Sequence, residues 1–184
     1  PKRIVSTGAK VDPKSISERK CFLCLDNLSL EQKGVLYRNE FVVLCNPFPI
    51  VDKHLTIPHL EHIPQAIEGF VPVFLELARE MAPAFTVFYN GPKCGASAPD
   101  HLHFQACPSG VIPVEQVASH SGRENLRLIS EVSLRSLKFA GQYVIVIEGK
   151  KEMQLHDAFM RLVASMKRVL HVSDEPMMNI FCLY

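Results

Sequence analysis

Apolar and polar residues recur along this chain with periods that assign most of its elements. Residues 1–20 (PKRIVSTGAKVDPKSISERK) are polar without an apolar period and read as an N-terminal arm, with the ordered domain spanning 21–184. Gly34 to Pro47 predicts a hairpin, with its turn at Arg38-Asn39-Glu40 and a buried strand over Phe41 to Cys45. Asn46-Pro47-Phe48-Pro49 must be irregular, because two prolines two apart remove donors and restrict φ. His54 to Pro58 reads as a short strand. Ile67 to Phe85 has the helical period, with Phe70, Phe74, Leu77 and Met81 on one stripe and Pro72 in the first turn.

Thr86 to Tyr89 predicts a strand, Asn90 to Asp100 a small-residue loop, and His101 to Cys107 another strand. Val111 to Ser136 has no settled period, apart from a helix near Val114 to Ser119. Tyr143 to Glu148 reads as a strand and Asn179 to Tyr184 as the last one. His156 to His171 predicts an amphipathic helix with Phe159, Leu162, Val163, Met166, Val169 and Leu170 facing inward. Hairpins mixed with separate helices predict an α+β domain built on a mainly antiparallel sheet. No internal repeat or low-complexity segment interrupts it.

Composition narrows the classes. With 184 residues and 47% apolar content, the chain can bury a full core, which excludes disorder as its main theme. Lys plus Arg is 20 against 19 for Asp plus Glu, a balance that argues against a nucleic-acid partner. No apolar run is long enough to cross a bilayer and no leader pattern opens the chain, so a soluble, cytoplasmic protein is expected. The chain opens on Pro and stops inside the apolar run Met177 to Tyr184, which suggests a piece of a longer protein. Its 6 cysteines are too sparse for a disulfide scaffold and fit a reducing compartment.

The chemistry concentrates in one stretch, Asn90-Gly91-Pro92-Lys93-Cys94-Gly95-Ala96-Ser97-Ala98-Pro99-Asp100-His101-Leu102-His103-Phe104-Gln105. On a strand, His101, His103 and Gln105 would share one face, about 6.5–7 Å apart, with Leu102, Phe104 and Ala106 on the other. Gly91, Gly95, Ala96 and Ser97 let backbone N–H groups approach an anion closely. A small-residue loop feeding a row of His, His and Gln is a layout for phosphate chemistry; the bland alternative is a turn followed by a solvated face. Cys21-Phe22-Leu23-Cys24 offers two thiolates to one metal ion, with a redox pair as the competing reading.

His101-Leu102-His103-Phe104-Gln105 resembles the signature of the histidine-triad superfamily in its nucleotidyltransferase branch. That branch holds the diadenosine tetraphosphate phosphorylases (ATP adenylyltransferases), the galactose-1-phosphate uridylyltransferases and the GDP-hexose phosphorylases. Its motif reads His-x-His-x-Gln where the hydrolase branch ends on a third His. Gly95-Ala96-Ser97 and Pro99 resemble the loop before the phosphorylase motif, with one residue more before the first His. The resemblance spans Cys21 to about Cys107 and implies a histidine-triad-like (HIT-like) α+β fold. It implies His103 as the nucleophile that forms a nucleotidyl-imidazole, and Gln105 as the amide donor to a phosphoryl oxygen. An amide activates water poorly, so the implied reaction is transfer to phosphate or a phosphorylated acceptor rather than hydrolysis.

The resemblance further maps Asn90, Gly95, Ala96 and Ser97 to phosphate contacts and Asn46 to a ribose or base contact, with a turn-forming Asn as the alternative. Lys93 reads as a solvated loop lysine, with added positive charge near the phosphates as the alternative. A structural zinc is implied on Cys21, Cys24, His62 and His101, with His59 and then His54 as rivals for the third ligand. The implied partner is a small nucleotide or nucleotide-sugar; the loop favours adenylyl transfer, with GDP- or UDP-hexose chemistry as the alternative. A homodimer is compatible with it. A dinucleotide hydrolase and a non-catalytic zinc-stabilised nucleotide-binding module are the readings from other classes.

Overall fold

Arg38 and Asn39 both adopt left-handed backbone (φ 52 and 54), the pair of positive angles a tight hairpin turn requires. They join β1 (Gly34–Tyr37) to β2 (Phe41–Cys45). The computed structural model describes residues 13–120, 124–129 and 131–184. After the hairpin come β3 (Leu55–Pro58), then a helix over Val71–Met81, then β4 (Phe85–Asn90) and β5 (His103–Pro108). With a short helix over Pro13–Glu18 numbered α1, the Val71–Met81 helix is α2. The chain continues with α3 (Pro113–His120), β6 (Glu124–Ile129), β7 (Val132–Phe139), β8 (Gln142–Glu148), α4 (Glu152–Leu170) and β9 (Asn179–Cys182).

Six strands form one antiparallel sheet in the order β1-β2-β3-β5-β4-β9, and β6-β7-β8 form a second. The fold is α+β. One face of the larger sheet carries Phe41, Ile57, Val87, Tyr89, Phe104 and Ala106, packed with Val71, Phe74, Leu77 and Ala78 of α2. Phe104 has no exposure and meets Phe41, Phe74 and Tyr89 at ring separations of 5.5, 5.2 and 6.3 Å. Truncating such a ring costs about 3–5 kcal/mol, so this residue anchors β5 and fixes where its opposite face points. Among the described residues no helix is long and apolar enough to cross a membrane.

Several expectations are corrected. Residues 13–18 are helical, with a proline at the start where its missing N–H costs nothing; residues 1–12 lie outside the described residues. The helix expected over Ile67 to Phe85 is shorter at both ends. Pro72 sits in its first turn, and Pro83 forces Ala82 into extended backbone (ψ 152) just past Met81. The last helix begins at Glu152, and its final turn overhangs the core, leaving Val169 and Leu170 71% and 54% exposed rather than facing inward. The stretch without a settled period holds α3 and the first two strands of the second sheet. β9 ends at Cys182. His101 and Leu102 precede β5 instead of opening it. Leu102 accepts from His59 N at 2.9 Å and donates to Ile63 O at 2.7 Å.

Candidate active site and metal cluster

Alternation from Phe104 sets His103 and Gln105 on the sheet face away from α2. His103 is 5% exposed. Its Nδ1 lies 2.8 Å from the carbonyl oxygen of His101; a carbonyl can only accept, so Nδ1 carries the proton and Nε2 the lone pair. Among the described residues no hydrogen bond reaches Nε2, and the atom is not sealed from solvent. Burial, above all, pushes the ring's pKa down to about 4, so it is neutral at pH 7. The site therefore presents an unprotonated imidazole nitrogen with its tautomer locked.

Gln65 holds this residue by its backbone. His103 N–H donates to Gln65 Oε1 at 2.8 Å, while Gln65 Nε2 donates to His103 O at 3.1 Å and Asn90 O at 2.9 Å. The β4–β5 ladder reaches Phe88↔Gln105, and beyond it this buried side chain bridges the two strands. Sequence reasoning missed Gln65, because a buried amide in an irregular segment carries no periodic signal. Gln105 is half-buried and pairs across the sheet with Thr56 and Phe88. Its Oε1 lies 2.8 Å from His54 Nε2.

His101 leaves the row expected for it. Its backbone turns at 101–102, and the buried ring faces the N-terminal cysteine pair instead. His101 Nδ1 is 3.2 Å from Cys21 Sγ and 3.6 Å from Cys24 Sγ, and His62 Nδ1 is 3.2 Å from Cys24 Sγ. All four donor atoms lie within 4.8 Å of one another. Tetrahedral coordination with metal–ligand bonds of 2.0–2.3 Å puts ligand atoms about 3.5 Å apart, so the spacing suits a metal ion. The ring tautomers suit it too. His101 Nε2 donates to His59 O at 2.8 Å, and His62 Nε2 faces Asp100 Oδ2 at 3.5 Å, so both bare Nδ1 atoms turn toward the sulfurs.

Asp100 is held in turn by Arg19 at 2.8 Å. Burial and the neighbouring Cys21 push the Cys24 thiol up to about 11, a cost that a bound cation reverses by drawing off the proton. The structure thus brings together Cys21, Cys24, His62 and His101 as a group able to hold a metal. His59 stands apart: its ring packs on Phe41 and Phe70, and its Nδ1 accepts from Glu61 N at 3.0 Å. His54 belongs to the Gln105 side.

The loop between β4 and β5 starts at Asn90, whose carbonyl Gln65 ties to that of His103. Gly91 is pressed against the segment before β9; a Cβ there would meet Met178 O at 2.7 Å. Gly95 uses φ +96, Ala96 is buried and Ser97 half-buried. Arg19 donates to Ser97 O at 3.3 Å. Lys93 pairs with Asp174 at 2.8 Å. Asn46 Oδ1 accepts from Phe48 N at 2.9 Å and its own N–H donates to His54 O, so its side-chain oxygen shapes the turn before the second proline.

A family model described as a domain of unknown function, DUF4922, matches residues 1–108, a span that takes in the metal cluster and β5. No curated protein matches the chain. Among solved structures, yeast Ap4A phosphorylase Apa2 in complex with Ap4A is similar at 19% identity and a TM-score of 0.46, covering 78% of this chain and 54% of that one. Another crystal structure of yeast Apa2 aligns at 19% identity and 0.46, covering 78% and 53%. The chain spans about half the length of these enzymes.

Proposed function

Given that the chain belongs to the DUF4922 family, we propose, from the arrangement around His103, that it is a nucleotidyltransferase of the phosphorylase type. The observation that carries this reading is the locked tautomer: Nδ1–H is committed to His101 O, leaving Nε2 bare on the face it shares with Gln105. In the first step Nε2 attacks the α-phosphorus of a dinucleotide or nucleotide-sugar. An N–P bond forms, the P–O bond to the leaving phosphate breaks, and that phosphate departs as an anion. A leaving group so weakly basic needs no general acid, and a carboxamide cannot serve as one. Gln105 N–H donates to the non-bridging oxygen on which charge builds.

In the second step an oxygen of phosphate or of a phosphorylated acceptor attacks the phosphorus. The N–P bond breaks and Nε2 recovers its lone pair. While nucleotidylated, the ring keeps its Nδ1 proton and carries a positive charge that the His101 carbonyl partly offsets. The backbone of Gly95, Ala96 and Ser97, with Asn90, would bind the phosphates. Adenylyl transfer is the form of the reaction the loop motif favours. Cys21, Cys24, His62 and His101 would hold zinc; four protein ligands leave no open position, so the ion supplies rigidity to the start of the catalytic strand.

The test is incubation with α-labelled diadenosine tetraphosphate, UDP-hexose and GDP-hexose. One of the three is expected to leave a protein-bound label that is acid-labile and base-stable, absent from His103→Ala, and discharged by phosphate or a sugar phosphate. Label discharged by water alone would make the protein a hydrolase. Nucleotide binding without label would make it a binding module.

A further inference from the structure

Gln105 has two chemically opposite ends, and only the N–H end can stabilise a phosphoryl oxygen. Its terminal torsion is broad and two-fold, so an unrestrained carboxamide also presents its oxygen to the anion. Here the oxygen is engaged. Thr56 pairs with Gln105 across the sheet, and His54, two residues ahead of Thr56, places its ring on the same face. Ile50 N–H donates to His54 Nδ1 at 3.4 Å, so Nδ1 is bare and the single proton of the neutral ring is on Nε2. That Nε2–H donates to Gln105 Oε1 at 2.8 Å. The ring is 5% exposed and stacks on Phe88 at 5.8 Å and 17°. Its own carbonyl accepts from Asn46 N at 2.9 Å. Burial lowers the ring's pKa, which keeps it neutral and the donor in place.

We propose that His54 is a positioning residue: by holding Gln105 Oε1 it selects the one flip in which the carboxamide N–H faces the phosphoryl group. This rests on the nucleotidyl-transfer reading of His103. The test measures single-turnover labelling of the zinc-supplemented 184-residue chain by whichever of the three α-labelled nucleotides loads His103 best. His54→Phe keeps a ring on Phe88 and removes the donor, and is expected to slow labelling roughly ten-fold. His54→Gln restores an N–H at similar reach and is expected to stay within about three-fold of the unmodified protein. On a Gln105→Ala background, His54→Phe should cost nothing further, which a merely structural role would not allow.

Labelling by His54→Phe at the unmodified rate, or a loss that multiplies that of Gln105→Ala, overturns the role. Nitrogen-15 NMR of the His54 ring provides an arm that needs no turnover: the Nε2–H tautomer supports it and the Nδ1–H tautomer overturns it. Absence of any label on the unmodified protein brings down the transfer reading and this role together. Label on His103 with the Nδ1–H tautomer at His54 brings down the role alone.

Discussion

At His103, burial and one backbone carbonyl together decide the protonation state of the ring. The ring's pKa sits near 4 instead of 6.5, and desolvation is the largest cause. The folded protein therefore resists a proton that the unfolded chain accepts. Stability tied to this ring is complete above about pH 6.5 and is lost as the pH falls toward 4, by up to about 3 kcal/mol. His103→Asn retains a donor for His101 O but has nothing to titrate. Denaturant melts between pH 7.5 and 4.5 are expected to fall less steeply for His103→Asn than for the unmodified chain. Parallel slopes would mean that the ring takes up its proton as readily when folded. If His103 is the nucleophile, a ring that stays mostly neutral down to about pH 5 would lose little attacking power on mild acidification.

At the scale of elements, the site depends on how β4 and β5 part company. Past the Phe88↔Gln105 pair, one side chain, Gln65, satisfies His103 N–H and the carbonyls of His103 and Asn90. Gln65→Ala would orphan a buried donor, and is expected to cost about 2–4 kcal/mol in a urea melt and to slow labelling of His103. Alternation made β5 legible in the sequence, because Phe104 and Ala106 must face the core and so His103 and Gln105 cannot. His101 was not legible by that rule. Its position is set by contacts with Cys21 and Cys24, some eighty residues away, and the strand period carries no record of them. β8 was legible as Tyr143 to Glu148, but its turn and its partner β7 stayed hidden for a local reason. The hairpin turns on Ala140 and Gly141 with both φ positive, and alanine at the first of these positions carries none of the Asn or Asp signal such turns show. Pro83 is a local stop that the apolar period overrode: the helix expected as far as Phe85 ends at Met81.

At the scale of the molecule, Cys21, Cys24, His62 and His101 bring the N-terminal segment against the start of β5, where a bound metal would staple the two together, and Arg19 ties the same segment to Asp100. The purified chain is expected to hold one zinc by elemental analysis, and a chelator is expected to lower Tm by roughly 10 °C. Cys24→Ser should reproduce both effects, and a metal-free chain with unchanged Tm would contradict the staple. In the proposed reaction the chemistry belongs to one nitrogen, His103 Nε2. The most direct measurement is tandem mass spectrometry, under alkaline conditions, of the protein trapped with its best nucleotide donor. A nucleoside monophosphate on the peptide carrying His101 and His103, with fragment ions assigning it to His103, is the expected result. An adduct on any other residue, or none on a chain shown to bind that nucleotide, would contradict the account.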